Sequence, residues 1–333
     1  VCYGLGNDRP TVTDANLVMG RINGDKPIGG KIERLDTEAA KAAIEHHVGK
    51  PLNLGIMEAA EAIVRVANSR MAGAIRLVSI ERGHDPKNFA AMPFGGAGAL
   101  HSGALIREVG LDSAIVPRFP GVTSAMGCVI ADMRHDFVHT INRPLDGLDI
   151  AALDGEMTAT ADKGLALLRQ SGVNLDRLDM EFELDMSYIG QTHTVPVPLQ
   201  VTIENNSAGI TADIIRDAFE TSYRRTYGRL LDNIGVRILS LRTAVIGRRP
   251  KFDLAALRPT NTGSVDDTVT SERQVWVDGG WQTTRIHDRL ALPVGARIPG
   301  PAILEQADTT IFIDPGLVGV VDNFGNVIVR RNS

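Results

Sequence analysis

Phe89-Ala-Ala-Met-Pro-Phe-Gly95-Gly96-Ala97-Gly98-Ala-Leu-His101 joins a short apolar run to an apolar helix through three clustered glycines. Clustered glycines let backbone N–H groups approach a ligand without a Cβ in the way. The following helix N-terminus adds unpaired donors and a partial positive charge. The spacing predicts a helix over about 99–109 that stops at Gly110, then a strand at Ala114-Ile115-Val116-Pro117. Strand, glycine turn, helix and strand make a βαβ unit of an α/β domain. Gly95, Gly96, Ala97 and Gly98 are therefore candidate nucleotide-binding residues, although close helix-to-strand packing would also select glycine. No Gly-Lys-Ser/Thr closes the stretch as a Walker loop requires. A dinucleotide fingerprint would need a third glycine where His101 stands and an acid where the next strand runs into Pro117-Arg118.

Upstream, Ala60, Ile63, Val64, Ala67, Met71, Ala74, Ile75 and Val78 share one helical face, predicting a long helix over about 55–82 closed by Gly83. Asn68 falls among these apolar positions and should face inward, bonded to a neighbouring helix end or serving a polar site. Ala15, Val18, Met19 and Ile22 predict a short helix with its N-cap at Thr13 or Asp14. Asp36-Thr37 introduces another helix, expected to run to about Val48 and to end at Pro51. Downstream, the stretch from Gly121 to Asp132 is rich in small residues, as for a tightly packed helix, and Phe137 to Ile141 alternates as a strand. The chain loosens around Arg143-Pro144, and a domain boundary is expected there, dividing 1–145 from 146–333.

The second part reads as an α+β domain rich in strands. Helices are expected over about 150–170 and 211–227, the latter with Ile214, Ile215, Ala218, Phe219 and Ser222 inward. Met180 to Tyr188 alternates as a half-exposed strand, and Thr192 to Leu199 carries two prolines and should be an edge strand. From Val275 onward, short apolar runs between Asp278-Gly-Gly, Pro299-Gly-Pro, Pro315-Gly and Phe324-Gly-Asn spell a β-rich terminal module.

With 333 residues, 43% hydrophobic and 23% charged, the chain has ample material for a core. A formal net charge of −5 without a long basic block argues against nucleic acid or membrane as the main partner. Cys2 and Cys128 supply no CxxC pair, so neither a disulfide framework nor a cysteine zinc site is indicated, and a cytoplasmic location is the default expectation. Opening on Val1-Cys-Tyr-Gly-Leu-Gly, the sequence reads as the middle of a longer polypeptide.

Six blocks carry a resemblance across essentially the whole chain. They are Cys2-Tyr-Gly-Leu-Gly with Arg9-Pro-Thr-Val-Thr-Asp14-Ala-Asn16-Leu-Val, Pro93 to His101, Pro120-Gly-Val-Thr-Ser-Ala-Met-Gly, Ala131-Asp132-Met-Arg134-His-Asp136, Tyr188-Ile-Gly-Gln-Thr192 and Pro299 to Thr310. In this order they resemble the C-terminal half of the A subunit of the hydantoinase/oxoprolinase family, which includes ATP-dependent hydantoinases, 5-oxoprolinases, lactamases and acetone-type carboxylases. The resemblance implies half of an actin/sugar-kinase-like (ribonuclease-H-like) nucleotide-binding fold followed by the family's α+β C-terminal domain. It also implies ATP and Mg2+ as cofactors, a B-type partner subunit, and Gly95 to Gly98 on the nucleoside side of the site. The phosphate-binding turns of that superfamily, Asp-x-Gly-Gly-Thr, do not occur, since Asp278-Gly-Gly-Trp281 has the wrong spacing. A preceding segment or another chain would have to carry them.

The function so implied is ATP-dependent opening of a cyclic amide such as a hydantoin, 5-oxoproline or another lactam. The alternatives are an acetone- or acetophenone-type carboxylase subunit, or a non-catalytic scaffold of the same family. Asp14, Asn16, Asn68 and His101 are the polar candidates. Asp14 and Asn16 suit a hard cation or a polar substrate, with helix capping the simpler reading of Asp14. No metal ligand set and no catalytic residue is assigned: no HExxH-type spacing links two histidines, and adjacent His101 and Ser102 diverge on a helix. The Asp132 to Asp136 cluster is expected to form local salt bridges.

Overall fold

The computed structural model describes residues 1–30 and 32–332. Its helices are α1 (Val12–Val18), α2 (Thr37–Ile44), α3 (Lys50–Leu52), α4 (Ile56–Val78), α5 (Ser102–Val109), α6 (Thr123–Ile130), α7 (Ile150–Gln170) and α8 (Ala212–Tyr227). Its strands are β1 (Ala90–Ala91), β2 (Ser113–Val116), β3 (Met133–Pro144), β4 (Arg177–Tyr188), β5 (Val195–Leu199), β6 (Val236–Arg248), β7 (Val269–Val277), β8 (Gly280–Asp288), β9 (Arg297–Pro299), β10 (Ala302–Gln306), β11 (Thr309–Ile313), β12 (Leu317–Val321) and β13 (Val327–Arg331). This is the mixed α/β composition that the sequence patterns predict.

The chain forms two compact units, one of residues 1–127 with 253–333 and one of 128–252. The boundary expected near 146 is not the boundary of packing. Strand β13 pairs antiparallel with β2, so the terminal strands complete a five-stranded sheet, β1-β2-β13-β12-β9, begun by the βαβ unit. Sequence reading misses this because backbone pairing between residues some 200 positions apart leaves no local trace.

Within the first unit, β1 and β2 are parallel, as a strand–helix–strand crossover requires. The strand before the glycines has only two residues and stops short of Pro93, which lacks the N–H a ladder needs. A single 3-10 turn, Gly98–His101, leads into α5, and Gly110 takes the left-handed C-cap conformation at φ +82°. Helix α4 buries Ala60, Val64, Asn68 and Ala72, while Ala74 and Val78 of the expected stripe are exposed. A second sheet, β11-β10-β8-β7, shares a core with α1, α2 and α4 through Ile286, Ile303 and Phe312. The β7–β8 hairpin turns at Asp278-Gly279, both with positive φ. The helix begun at Asp36 does not end at Pro51. It passes through a π-helical turn over Glu45–Gly49 and takes Pro51 into α3, its widened hydrogen-bond register accommodating the missing N–H.

The second unit is the antiparallel sheet β3-β6-β4-β5 with α7 and α8. Phe182, Leu184, Met186, Val195, Val197 and Leu199 meet Met157, Ile215 and Phe219 in one core. β5 is an edge strand, with Pro196 and Pro198 exposed and the alternate residues buried. Ile214, expected to face inward, is exposed, and Tyr223 lies inside instead. The small-residue helix α6 also departs from expectation, because none of its residues is buried and a Cβ at Gly127 would meet nothing within 4 Å. Its small residues do not serve close packing among the described residues.

Candidate functional site

The glycine turn is clamped by two other motif blocks. Gly95 donates its N–H to the Pro120 carbonyl at 2.7 Å, and Thr309 Oγ1 donates to the carbonyls of Gly95 and Gly96 at 3.2 and 3.3 Å. Thr310 N–H reaches the Gly96 carbonyl at 3.4 Å, and Gly121 N–H reaches Asp308 Oδ2 at 2.9 Å. Residues from 93–101, 120–121 and 308–310 thus meet, although the sequence separates them by up to about two hundred positions. Only Gly95 needs glycine for its conformation, with φ +82°, and only Gly121 needs it for space, since a Cβ there would lie 2.5 Å from the Asp308 Cβ. A Cβ at Gly96 would sit 3.6 Å from the Asp308 carbonyl oxygen and Ile28, and one at Gly98 would sit 3.7 Å from Pro93, both ordinary contacts.

The N–H groups of Gly96 and Ala97 have no protein acceptor among the described residues. Two consecutive free donors on a partly exposed turn suit the polar atoms of a nucleoside. Among the described residues no cationic side chain bonds to the turn.

The polar candidates separate into two places. Asp14 is fully buried, and its carboxylate accepts Cys2 N–H and Thr11 N–H, both at 2.7 Å, Thr11 Oγ1–H at 2.8 Å, and the Val1 nitrogen at 3.1 Å. The true N-cap is Thr11, and Asp14 completes its capping box from the third helical position. Burial pushes the Asp14 carboxyl upward, but the hydrogen bonds from Cys2 and Thr11 outweigh it and hold the group at about 2. With its lone pairs occupied, Asp14 offers nothing to a cation or substrate. Asn16, also buried, gives Nδ2–H to the Val12 carbonyl at 3.0 Å and leaves Oδ1 unpartnered.

Asn68 and His101 do come together. Asn68 Oδ1 lies 2.7 Å from His101 Nδ1, both side chains buried, so α4 bonds to the imidazole of the residue that stands at the N-terminal end of α5. Burial, then the positive charge of Arg21, holds His101 below its ordinary value and keeps the ring neutral. With Oδ1 accepting, Nδ1 carries the proton and Nε2 keeps its lone pair. Arg21 stacks its guanidinium 4.6 Å from the Phe312 ring centre, and its Nε is buried without a partner. Sequence reasoning overlooks Arg21 because an arginine after Gly20 at a helix end reads as a dipole-complementing surface charge.

In the second unit, Arg134 pairs with Asp136, the local salt bridge expected there, and also with Glu181, while Arg248 bridges Asp132 and Asp179 from a distant strand. Among the described residues no three His, Cys, Asp or Glu side chains gather as a metal-holding group, and no helix is long and apolar enough to cross a membrane.

The hydantoinase/oxoprolinase family model matches residues 1–137, and the model of that family's C-terminal domain matches residues 150–330. The chain belongs to the hydantoinase/oxoprolinase family. Both family segments lie on either side of the looser stretch around Pro144, whereas the compact packing crosses it. Caprolactamase subunit alpha of Pseudomonas jessenii is 31% identical over 95% of this chain and 45% of its own length. Acetophenone carboxylase gamma subunit of Aromatoleum aromaticum is 29% identical over 99% of this chain and 46% of its own. The chain therefore spans about half the length of the curated relatives it matches. The crystal structure of the ATP-dependent caprolactamase from Pseudomonas jessenii superimposes on the whole chain with TM-score 0.75 and 28% identity, covering 48% of that chain. Nucleotide-free acetone carboxylase shares the fold at TM-score 0.77 and 22% identity, over 48% of its chain.

Proposed function

We propose that this chain is one part of an ATP-dependent enzyme that opens a cyclic amide such as a hydantoin, 5-oxoproline or another lactam. In this reading Gly95, Gly96, Ala97 and Gly98 form the nucleoside side of an ATP–Mg2+ site. A B-type subunit and a segment or chain carrying the phosphate-binding turns complete it. The observation that carries the reading is the clamped turn with two free N–H donors, in a chain similar throughout to a caprolactamase subunit.

An unstrained amide is a poor electrophile. Transfer of the terminal phosphoryl group of ATP to the amide oxygen makes the carbon electrophilic. Water then adds, the ring C–N bond breaks, and ADP and phosphate leave. Such transfer depends on positioning and charge neutralisation more than on covalent help from the protein. No side chain of this chain is assigned to touch the reacting atoms.

ATP-dependent carboxylation of a ketone is the second reading, supported by the 29% identity to an acetophenone carboxylase subunit over nearly the whole chain. The test is ADP release by the chain assembled with its partner subunits. Release that depends on hydantoin, 5-oxoproline or caprolactam supports ring opening. Release that depends on ketone plus bicarbonate assigns the carboxylase. Release with neither refutes both.

A further inference from the structure

The sheet of the second unit, β3-β6-β4-β5, has two edges that differ. β5 carries Pro196 and Pro198, whose missing N–H groups fall on the side turned away from β4, so that edge cannot hold another strand there. β3 is twelve residues long and pairs with β6 alone. Among the described residues no backbone N–H or C=O of Met133–Pro144 bonds outside the β3–β6 ladder. A bulge after Thr140, with Asn142 at φ +48°, breaks the register, so the straight part of this open edge runs from Met133 to Thr140.

Within that edge Met133-Arg134-His135-Asp136-Phe137 is self-complementary when read antiparallel. With His135 opposite His135 of a second copy, Arg134 faces Asp136 twice and Met133 faces Phe137 twice. The faces match as well. Arg134 and Asp136 lie on the open face of the sheet, where Arg134 also meets Glu181, while Phe137 packs under α7, 5.4 Å from Lys163 Nζ, and Met133 shares its face by alternation. Arg134 Nε bonds to both oxygens of its own Asp136 at 3.0 Å, yet both side chains stay about half exposed and the guanidinium keeps donors to spare. Directly opposite residues on paired strands have Cβ atoms about 4.5–5.5 Å apart, nearer than the roughly 6.5 Å between i and i+2 on one strand. A slip of two residues sets Asp136 opposite Asp136 or Arg134 opposite Arg134, so charge selects one alignment. Charges that guard a free edge repel their own kind, whereas these attract a second copy.

The apolar surface beside the edge fits the same register. Val129 and Ile130 at the end of α6 and Val138 on β3 are 65%, 38% and 60% exposed. Asp132 of one copy comes opposite Val138 of the other, which brings Val138 to the end of α6. That contact would cover apolar side chains of a helix that has no buried residue within its own chain.

We propose that β3 is a homodimerisation strand, pairing antiparallel with β3 of a second copy about a twofold axis at His135 and joining two four-stranded sheets into one. The occupant is a second copy because the same five residues supply both members of every complementary pair.

The test is sedimentation velocity of the full 333-residue chain over a concentration series, for wild type, Arg134→Asp, Asp136→Arg and the double variant. Wild type should form a concentration-dependent dimer. Each single reversal turns both cross-strand ion pairs into repulsions and should weaken dimerisation roughly 10- to 100-fold. The double variant restores opposite charges and should dimerise as wild type does. The two single variants, mixed, should form a heterodimer, because the charges of one then complement those of the other, and this recovery separates a lost interface from a lost fold. Wild type that is monomeric at every concentration, single variants that dimerise as wild type does, or a double variant and a mixture that both stay monomeric overturns the inference. So does an assembled enzyme that holds one copy of this chain with the β3 amides protected from hydrogen exchange, which would give the edge to a partner subunit.

Discussion

Alanine replacements across the clamped turn should differ in sign as well as size. In Gly121→Ala the new Cβ would lie 2.5 Å from the Asp308 Cβ and 2.6 Å from both its carbonyl oxygen and Oδ2. The 308–310 loop must then move, which costs about 1–3 kcal/mol for overpacking, with part of the Gly121–Asp308 hydrogen bond lost as well. A total near 2–4 kcal/mol is expected. Gly95→Ala meets no atom within 4 Å but must hold an L residue at φ +82°, worth about 1–2 kcal/mol. Gly98→Ala has neither problem, and by restricting the unfolded chain it should be neutral or stabilising by up to about 1 kcal/mol. Urea unfolding followed by tryptophan fluorescence reads this directly, because both tryptophans, Trp276 and Trp281, lie in the same compact unit as the turn. If Gly98→Ala costs as much as Gly121→Ala, or Gly121→Ala is neutral, the clamp does not organise the turn.

Gly96→Val keeps an ordinary backbone conformation but extends two methyl groups beyond a Cβ already 3.6 Å from Ile28, so ATP affinity of the assembled enzyme should fall while the melting temperature holds. Unchanged affinity by calorimetry would show that the turn serves packing alone. Asp14→Asn puts an amide group where backbone and hydroxyl donors converge, and should destabilise by roughly 3 kcal/mol in urea titrations. In the parent chain, the Asp14 contribution is complete above pH 3.8 and disappears as pH falls towards about 2, because the folded carboxyl stays ionised when the unfolded one takes a proton. His101 and His287 are both held below 6.5, so the unfolded chain binds more protons on acidification. Their share of stability is full above pH 6.5 and is lost as pH falls below it, and His101→Gln should flatten that limb of the stability profile.

Local grammar made much of the fold legible. Gly110 stops α5 with positive φ, while α4 ends at Val78 and Gly83 closes only the 3-10 turn Ile80–Arg82 after it; Asp36, Asp149 and Thr211 cap their helices, and the prolines of β5 mark an edge. Each of these signals is written within a few residues of the feature it determines. The pairing of β13 with β2 is not, because strand registry over so long a separation depends on complementary surfaces. The division of packing, which differs from the break between the two family segments, follows from that pairing. The reading of α6 failed for a related reason, since small residues permit close packing without requiring it.

The candidate site shows the same division at the scale of single atoms. The glycine turn is visible as a run of residue types, but what gives it a fixed shape is Asp308, Thr309 and Thr310 acting through Gly121 and Pro120. Glycine at 121 looks in sequence like any turn residue after proline, and only the 2.5 Å approach of Asp308 shows that space, not backbone angle, selects it. At Asp14 the simpler reading, helix capping, holds. Donors from Cys2 and Thr11 occupy its carboxylate, and it completes the capping box of α1. A side chain's chemistry becomes available to a ligand only after the protein's own hydrogen bonds are counted. By that count the N–H groups of Gly96 and Ala97 remain without a protein acceptor among the described residues where the Asp14 carboxylate does not.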